Sequence, residues 1–163
     1  METFEIKVRV ADESELYNPF DPDKLTLNED LLQYLVNRYS EKELGKQTAL
    51  AFVGAAIDGN HLKAALRRHV ESELEKNRRE KKLNYAKQLR LFLIGVAFIA
   101  ADIALKQALP SIPVEILSII GSFAVWEAAN IWIVENPGLD FQKRRFRKLL
   151  EAEISIEPSE SGD

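Results

Sequence analysis

The feature that most constrains this chain is the segregation of its charges. Almost everything from Leu91 to Val134 is apolar, while charged residues crowd both flanks. A length of 163 residues suits one domain, or one small domain with an appendage. The chain has no cysteine, which excludes disulfides, zinc ribbons, iron–sulfur clusters and a thiol nucleophile. The sequence therefore indicates a membrane protein more clearly than it indicates an activity.

Two windows within this stretch are each long enough to cross a bilayer core of about 30 Å at ~1.5 Å per residue. The first window, Leu91–Leu109, is favourable for insertion even against a cost of about 3 kcal/mol for a carboxylate near its centre. The second window is Val114–Val134. The polar residues within the two windows are Asp102, Lys106, Gln107, Glu115, Glu127 and Asn130, with Ser118 and Ser122. Two spans are therefore predicted.

The link between the two windows is short. Leu109–Pro113 contains two prolines, each of which disfavours helix in the residue before it. Two helices joined by so short a turn must run antiparallel, so the sequence predicts a transmembrane helical hairpin. The alternative is a buried hairpin in a soluble protein, which would need a partner layer that the remaining residues can hardly supply.

Basic residues set the expected orientation. They precede the first window at Lys76, Arg78, Arg79, Lys81, Lys82, Lys87 and Arg90, and follow the second at Lys143, Arg144, Arg145, Arg147 and Lys148. The positive-inside rule then places both termini in the cytoplasm. Residues 1–30 are acidic and lack an apolar core, so no cleavable signal peptide is expected.

The residues before the spans predict a small α+β domain. Phe4–Val10 alternates apolar and charged residues, which is typical of a half-buried strand. Asn28 is expected to cap a helix from Glu29 to about Leu44, and Thr48–Ala56 is expected to form a second strand. Asn60 is then expected to cap a long helix, which no glycine or proline interrupts before Arg90.

The residues after the spans complete this domain. Asn136–Gly138 is expected to break the chain, before a basic helix over Phe141–Leu150 and a strand over Ala152–Glu157. Three short strands are most stable in one sheet, and the first two should form a right-handed parallel unit. The predicted organisation is a cytoplasmic domain over 1–88, a hairpin over 89–136, a completing segment over 137–157 and a disordered tail over 158–163.

This layout resembles a family of uncharacterised bacterial membrane proteins with two spans. The resemblance is carried by the Asn/Asp-Pro segment Leu16–Pro22 after the first strand, by the tryptophan-containing stretch Trp126–Pro137, and by the basic helix and short strand over Lys143–Ile156. It covers most of the chain, although this chain has fewer aromatic and proline residues over Asn130–Asn136 than the family pattern. The resemblance implies the two-span architecture and no particular activity.

Three polar residues of the spans are candidate functional groups, namely Asp102, Glu127 and Asn130. Ionisable groups inside a membrane are costly, and they often mark functional sites. Helical spacing puts Glu127 opposite a face of its helix that is rich in small residues, so either it faces a second copy of the chain in a homo-oligomer or it lies near the headgroups and pairs with Arg90. That face consists of Ser118, Gly121, Ser122, Val125 and Ala129. Ser118 and Ser122 lie near the level of Asp102 and are predicted to be able to donate hydrogen bonds to it. Asp102 either lines a polar path or only fixes the register of the hairpin.

Outside the spans, candidate functional residues are few. Asn18 and Asp21 belong to a turn that is either a ligand loop or a rigid connector. Anionic lipid headgroups are the expected contacts of Arg78, Arg79, Lys81, Lys82, Arg144 and Arg145. The spacing of His61 and His69 does not suit a metal site, and nucleic-acid binding is not expected.

The sequence predicts neither an enzyme nor a cofactor. The expected function is an oligomeric sensing or conduit protein of the inner membrane with a cytoplasmic regulatory domain. The alternative is a membrane-anchored interaction or scaffold protein, for which a cytoplasmic protein would be the partner.

Overall fold

The computed structural model describes residues 3–54, 57–106 and 111–158. The chain forms two compact units. One is an α/β unit built from both ends of the chain, Met1–Lys76 and Gln142–Asp163, and the other is a helical unit, Asn77–Phe141. The predicted tail after Pro158 lies outside the described residues, as do Leu109 and Pro110 of the predicted turn.

The α/β unit contains one sheet of three parallel strands, β1 (Thr3–Val10), β2 (Gln47–Gly54) and β3 (Glu153–Pro158), in the order β1-β2-β3. The predicted strands and the parallel pairing of the first two are confirmed. Because helices separate strands that are all parallel, the unit is of α/β type, and the predicted α+β class is corrected in this respect. Ala55 and Ala56, the predicted end of β2, lie outside the described residues.

The helix after β1 is shorter than the sequence predicted. Helix α1 spans Glu29–Asn37, and the Asn28 side chain accepts a hydrogen bond from the Asp30 amide at 3.0 Å, as a cap should. The expected continuation to Leu44 is wrong, since the chain leaves the helix after Asn37. Tyr39 is nevertheless fully buried in the core, so the apolar spacing that suggested a longer helix reflects burial beyond its end.

The core lies on one face of the sheet. Ile6, Val8 and Val10 of β1, with Leu50 and Phe52 of β2, pack against buried residues of the helices. These helical residues are Leu32, Leu35, Val36, Leu62, Ala65, Leu66, Val70, Phe146 and Leu149. The strand residues between the core positions point to the opposite face.

Helix α2 runs without a break from Gly59 to Leu105. The Asp58 carboxylate accepts hydrogen bonds from the amides of Asn60 and His61 at 2.9 and 3.2 Å, so Asp58, and not Asn60 as predicted, caps this helix. The expected first span ended at Leu109. Because α2 ends at Leu105, Asp102 lies in its last turn rather than near the centre of a span.

Helix α3 spans Ser111–Asn130 and continues through a π-helical turn, Ile131–Glu135, into helix α4, Asn136–Glu151. The predicted break at Asn136–Gly138 is therefore wrong. Pro137 has no amide hydrogen to donate within the helix, and its ring crowds the carbonyl four residues earlier. The wider π-turn directly before it, in which the Asn136 amide donates to Ile131 O, accommodates the proline without ending the helix.

The two helices of the second unit are long and apolar enough to cross a membrane. Only 6% of the apolar window of α2 and 17% of that of the α3–α4 helix are buried within the structure. Large apolar side chains are exposed along both, among them Leu93, Ile103, Ile119, Phe123 and Trp126. These helices therefore do not have the burial of a soluble core.

Candidate functional site

The hairpin is held together at a close crossing of two glycines. A Cβ added at Gly95 would lie 2.8 Å from Gly121 O, and one added at Gly121 would lie 3.0 Å from Gly95 O. The backbones therefore touch, as small residues allow in membrane helices. The predicted small-residue face of α3 is correct at Gly121, but Ser122 is exposed and donates a hydrogen bond to Ser118 O at 2.8 Å.

The side of α2 that faces the second helix has a heptad spacing. Between Asn77 and Asp102, residues that are not exposed recur at alternating intervals of four and three, and only Ile99 and Ala101 are added to this series. Its members are Asn77, Lys81, Asn84, Gln88, Leu91, Gly95, Phe98 and Asp102. This repeat is typical of helices that pack as a left-handed coiled coil. Its first four members are polar, which is why hydrophobic periodicity alone did not reveal it.

Glu127 is paired inside the hairpin. Lys87 Nζ of α2 lies 3.2 Å from Glu127 Oε1, and each side chain is about half-exposed. The partner is thus a cation of the first helix, one turn before the expected Arg90. A second copy of the chain is not required to neutralise this carboxylate.

Asp102 and Asn130 occupy different levels of the hairpin. Asp102 is half-buried on the heptad side of α2, and none of the described residues donates a hydrogen bond to it. The predicted bond from Ser122 is not formed, because the Ser122 hydroxyl donates within its own helix. Asn130 is half-buried at the last position of α3, directly before the π-turn. The three predicted polar residues are therefore not one site.

The polar groups that the helices do bring together lie at the other end of the hairpin. Buried Asn77 donates its side-chain amide to Leu139 O at 3.1 Å, and Lys81 forms an ion pair with Asp140. Asn136 is 4% exposed, and neither atom of its side-chain amide has a hydrogen-bond partner among the described residues. Its place at the end of a π-turn is typical of functional helix irregularities. Sequence reasoning missed this polar cluster, which only the heptad spacing could have indicated.

An apolar groove of ≈ 560 Å³ lies between the two helices, and its lining residues Gln88 and Ala128 directly follow Lys87 and Glu127 in the sequence. Its floor is Ala128 and Ala129, its aromatic walls include Tyr85 and Trp132, and Gln88 is its one amide. A groove of this size and polarity suits an acyl chain or another apolar segment.

The loop predicted from Asn18 and Asp21 is held by its own side chains. Asn18 Oδ1 accepts from the Phe20 amide at 2.9 Å, and Asp21 Oδ2 accepts from the amides of Leu25 and Thr26 at 2.9 and 2.8 Å. The Thr26 hydroxyl also donates to Asp21 Oδ2 at 2.7 Å, and this bond, followed by those from the amides, lowers the pKa of Asp21. Both residues shape the loop, and neither side chain is presented to a ligand.

The loop carries Lys24 to the carboxyl ends of the strands. Lys24 Nζ donates to Glu13 Oε2 at 3.0 Å, and this bond holds the pKa of Glu13 below its ordinary value. The Lys24 carbonyl accepts from His61 Nε2 at 2.9 Å, and the His61 ring packs edge-on against Tyr17. Burial raises the pKa of Tyr17, whose hydroxyl has no hydrogen-bond partner among the described residues. The cluster closes the end of the sheet where open α/β folds often bind ligands. The Tyr17 hydroxyl, however, is buried and is not accessible to a ligand.

The six basic residues predicted to contact lipid do not behave alike. Arg145 Nε donates to Tyr39 O at 2.8 Å, beyond the end of α1, and is therefore engaged in the protein. Lys81 is paired with Asp140, and Arg144 lies 3.8 Å from Glu41. Arg78, Arg79 and Lys82 are exposed on α2, and Arg78 and Arg79 also interact within the protein.

Within the described ranges, no three His, Asp or Glu side chains lie together in a way that could hold a metal ion. The chain's resemblance to uncharacterised two-span proteins remains a prediction drawn from layout. No family model matches this chain, and neither a curated protein nor a solved structure matches it.

Proposed function

We propose that this chain is an integral protein of a bacterial inner membrane, in which the helical hairpin anchors the α/β unit at the cytoplasmic surface as a sensing or docking module. The observation that supports this most is the low burial of the two apolar windows, 6% and 17%. In water, such a contiguous apolar surface would aggregate or require a large partner. In a bilayer it needs no further cover.

The distribution of charge along the hairpin supports the same function. Residues 91–101 of α2 and 116–126 of α3 contain no charged side chain. Each of these runs is about 17 Å long at ~1.5 Å per residue, shorter than a core of about 30 Å. From Lys87 to Lys106 the length is about 28 Å, so these lysines would reach the two headgroup layers, with the aliphatic stem of Arg90 extended toward the nearer one.

The same arrangement favours anionic lipid as a partner. Exposed Arg78, Arg79 and Lys82 lie on the cytoplasmic side of the Lys87–Glu127 pair. Each cation near an anionic surface contributes about 1 kcal/mol. Trp132 and Tyr85 line the groove at the level where interfacial aromatic residues are common.

Two measurements test membrane insertion and orientation. The chain should remain with membranes after a carbonate wash, and its release would refute the proposal. Because the natural sequence has no cysteine, Glu115→Cys and Lys82→Cys each introduce a single thiol at an exposed position. In spheroplasts, an impermeant maleimide should label the thiol at position 115 and spare the one at position 82 until the cells are opened. The reverse pattern would refute the orientation with both termini in the cytoplasm.

A second candidate function is an oligomeric conduit. It is favoured by Asp102, a half-buried carboxylate with no hydrogen-bond partner among the described residues. In a conduit lined by this residue, Asp102→Asn should change ion flux into proteoliposomes. Glu127→Gln serves as the comparison, because Glu127 already has Lys87 as its partner. If neither the unsubstituted protein nor Asp102→Asn raises ion flux above that of empty liposomes, the conduit is excluded and the anchored module remains.

A further inference from the structure

The apolar groove of the hairpin runs along one side of both helices. Each helix lines it with four residues that follow one another at intervals of three, one and three, the spacing of a single helix face. On α2 these are Tyr85, Gln88, Leu89 and Phe92, and on the second helix they are Val125, Ala128, Ala129 and Trp132. From Tyr85 to Phe92 the groove is about 10 Å long at ~1.5 Å per residue.

The groove is open to its surroundings. Its walls, Tyr85, Leu89, Phe92 and Trp132, are each between 49% and 64% exposed. Its floor is low, because the residue between the walls on the second helix is Ala129, which is half-buried. An apolar chain that lay in the groove would contact alanine methyl groups below it and aromatic rings at its sides.

The same side of α2 becomes basic directly before the groove. Lys82, Lys81 and Arg78 lie three, four and seven residues before Tyr85, which are the positions that share its face. The acidic residue of this part of the helix, Glu80, lies about 140° away from Tyr85 around the helix axis. The groove therefore leads from an apolar stretch to a group of cations.

An ion pair marks the basic end of the groove. Lys81 Nζ lies 5.9 Å from the centroid of the Tyr85 ring, which is a wall of the groove, and Lys81 is paired with Asp140 of α4. This pair is neutral as a whole. Lys82 and Arg78 are both exposed, although Arg78 also interacts within the protein, and they leave two positive charges beside the pair.

We propose that the groove holds one molecule of an anionic glycerophospholipid from the surrounding membrane. One acyl chain lies along the groove, and the phosphate contacts Lys82 and Arg78. This inference rests on the membrane anchorage proposed above, and it replaces a general attraction to lipid with a defined site. In that arrangement Lys87 reaches the headgroup layer, so the groove from Tyr85 to Phe92 leads from that layer into the hydrocarbon core.

The charges select this occupant over the other molecules that could cover an apolar groove. Both helices of a second copy are flanked by cations at the cytoplasmic end, which would meet Lys82 and Arg78 with like charge. A zwitterionic lipid brings an ammonium group beside its phosphate, and these cations repel that group. An anionic lipid offers an apolar chain and a negative charge in the order in which the groove and the cations occur.

The two tryptophans of the chain provide a direct test. Trp132 is a wall of the groove, whereas Trp126 is 72% exposed and lines a different hollow on α3. Trp126→Phe and Trp132→Phe each leave a single tryptophan, and both variants are reconstituted into phosphatidylcholine vesicles. A small fraction of the lipid is then replaced by phosphatidylglycerol or phosphatidylcholine with brominated acyl chains, because bromine quenches tryptophan fluorescence on contact.

The expected result is a preference confined to one tryptophan. Trp132 should be quenched at a concentration of brominated phosphatidylglycerol on the order of tenfold lower than that of brominated phosphatidylcholine. Trp126 should respond alike to the two lipids. Because each tryptophan is compared with itself, differences in depth between the two do not affect the comparison.

Variants of the cations and of the floor test the two parts of the site. Lys82→Glu should lower the preference for the anionic lipid on the order of tenfold, and the matched control Arg79→Glu should keep it, because Arg79 lies about 120° away from Tyr85 around α2. Ala129→Leu fills the floor and should abolish the preference. Ala97→Leu, at an exposed alanine of α2 outside the groove, should not.

Three results would overturn the lipid site. They are equal quenching of Trp132 by the two lipids, a preference that Lys82→Glu leaves unchanged, and protection of Trp132 from both lipids, which would show that a protein segment covers the groove. Failure of the membrane anchorage looks different, since Trp126 would then escape quenching as well and the carbonate wash would release the chain.

Discussion

The close contact between Gly95 and Gly121 predicts that an alanine at position 95 destabilises the hairpin. In Gly95→Ala the new Cβ would lie 2.8 Å from Gly121 O and 3.0 Å from Val125 N. Both atoms belong to the backbone, so no side-chain rotation relieves the overlap. Ordinary contact begins near 3.4 Å, and the helices must therefore separate by about 0.6 Å at the crossing.

The expected loss of stability follows from two opposing terms. Overpacking of this kind typically costs about 1–3 kcal/mol. Replacement of glycine by alanine inside a helix returns up to about 1 kcal/mol through helix propensity. Gly95→Ala should therefore destabilise the hairpin by about 1–2 kcal/mol.

The matched control is Gly138→Ala. Gly138 also lies within a helix, but a Cβ added there meets no atom within 4 Å. This variant keeps the propensity gain and has no overlap, so it should be neutral or more stable by up to about 1 kcal/mol. The free energies of unfolding of the two alanine variants should therefore differ by about 2 kcal/mol, and Gly138→Ala should be the more stable.

The assay is reversible unfolding of the purified chain in mixed micelles, followed by far-UV circular dichroism and tryptophan fluorescence. Both tryptophans, Trp126 and Trp132, lie in the helical unit, so the fluorescence signal reports on the hairpin. If Gly95→Ala unfolds at the same denaturant concentration as Gly138→Ala, the helices do not cross at this glycine pair and the described packing is wrong.

Three further predictions concern the α/β unit. In chemical denaturation, Arg145→Ala should lower the free energy of unfolding by about 1–3 kcal/mol, because Tyr39 O loses a charged donor. Arg145→Lys should recover little of this stability, because an ammonium group cannot reproduce the geometry of the guanidinium. Asp21→Ala should speed amide hydrogen exchange in the 18–26 loop on the order of tenfold, as measured by mass spectrometry, since its carboxylate accepts hydrogen bonds from three of the loop's amides. The lowered pKa of Glu13 stabilises the folded state above the unfolded value of 4.5, and this contribution is lost as the pH falls through the folded value. Glu13→Gln should therefore flatten the acid limb of a plot of melting temperature against pH, and an unchanged limb would contradict the Lys24–Glu13 pair.

Much of the α/β unit could be predicted from its sequence because its signals are local. The alternation in β1 and the Asn28 cap each act within a few residues, and both are confirmed. The parallel pairing of β1 with β2 followed from the handedness rule for strand–helix–strand units. The end of α1 was mistaken because Tyr39 is buried by tertiary packing, which no periodicity within the helix encodes.

The helical unit was predictable in outline and not in its contacts. The sequence indicated two apolar helices, but it could not show that Lys87 reaches Glu127 across the hairpin, since that pair depends on the register of one helix against the other. The π-turn before Pro137 was missed for a different reason. Proline is ordinarily a reason to end a helix, and only the extra residue of the π-turn lets this helix continue.

The order of the strands has a consequence for the synthesis of this chain. A ribosome makes β1 and β2 before the hairpin and β3 only after it, at a distance of about 100 residues. At 5–20 residues per second, the edge of β2 waits roughly 5–20 s for the strand that will pair with it. The segment Thr48–Val53 has no charged residue, and every residue after Thr48 is apolar. Strands of this kind aggregate when their edge is free. Delayed translation of the segment from Leu91 onward should therefore increase misfolding of the α/β unit, even though it alters no residue of that unit.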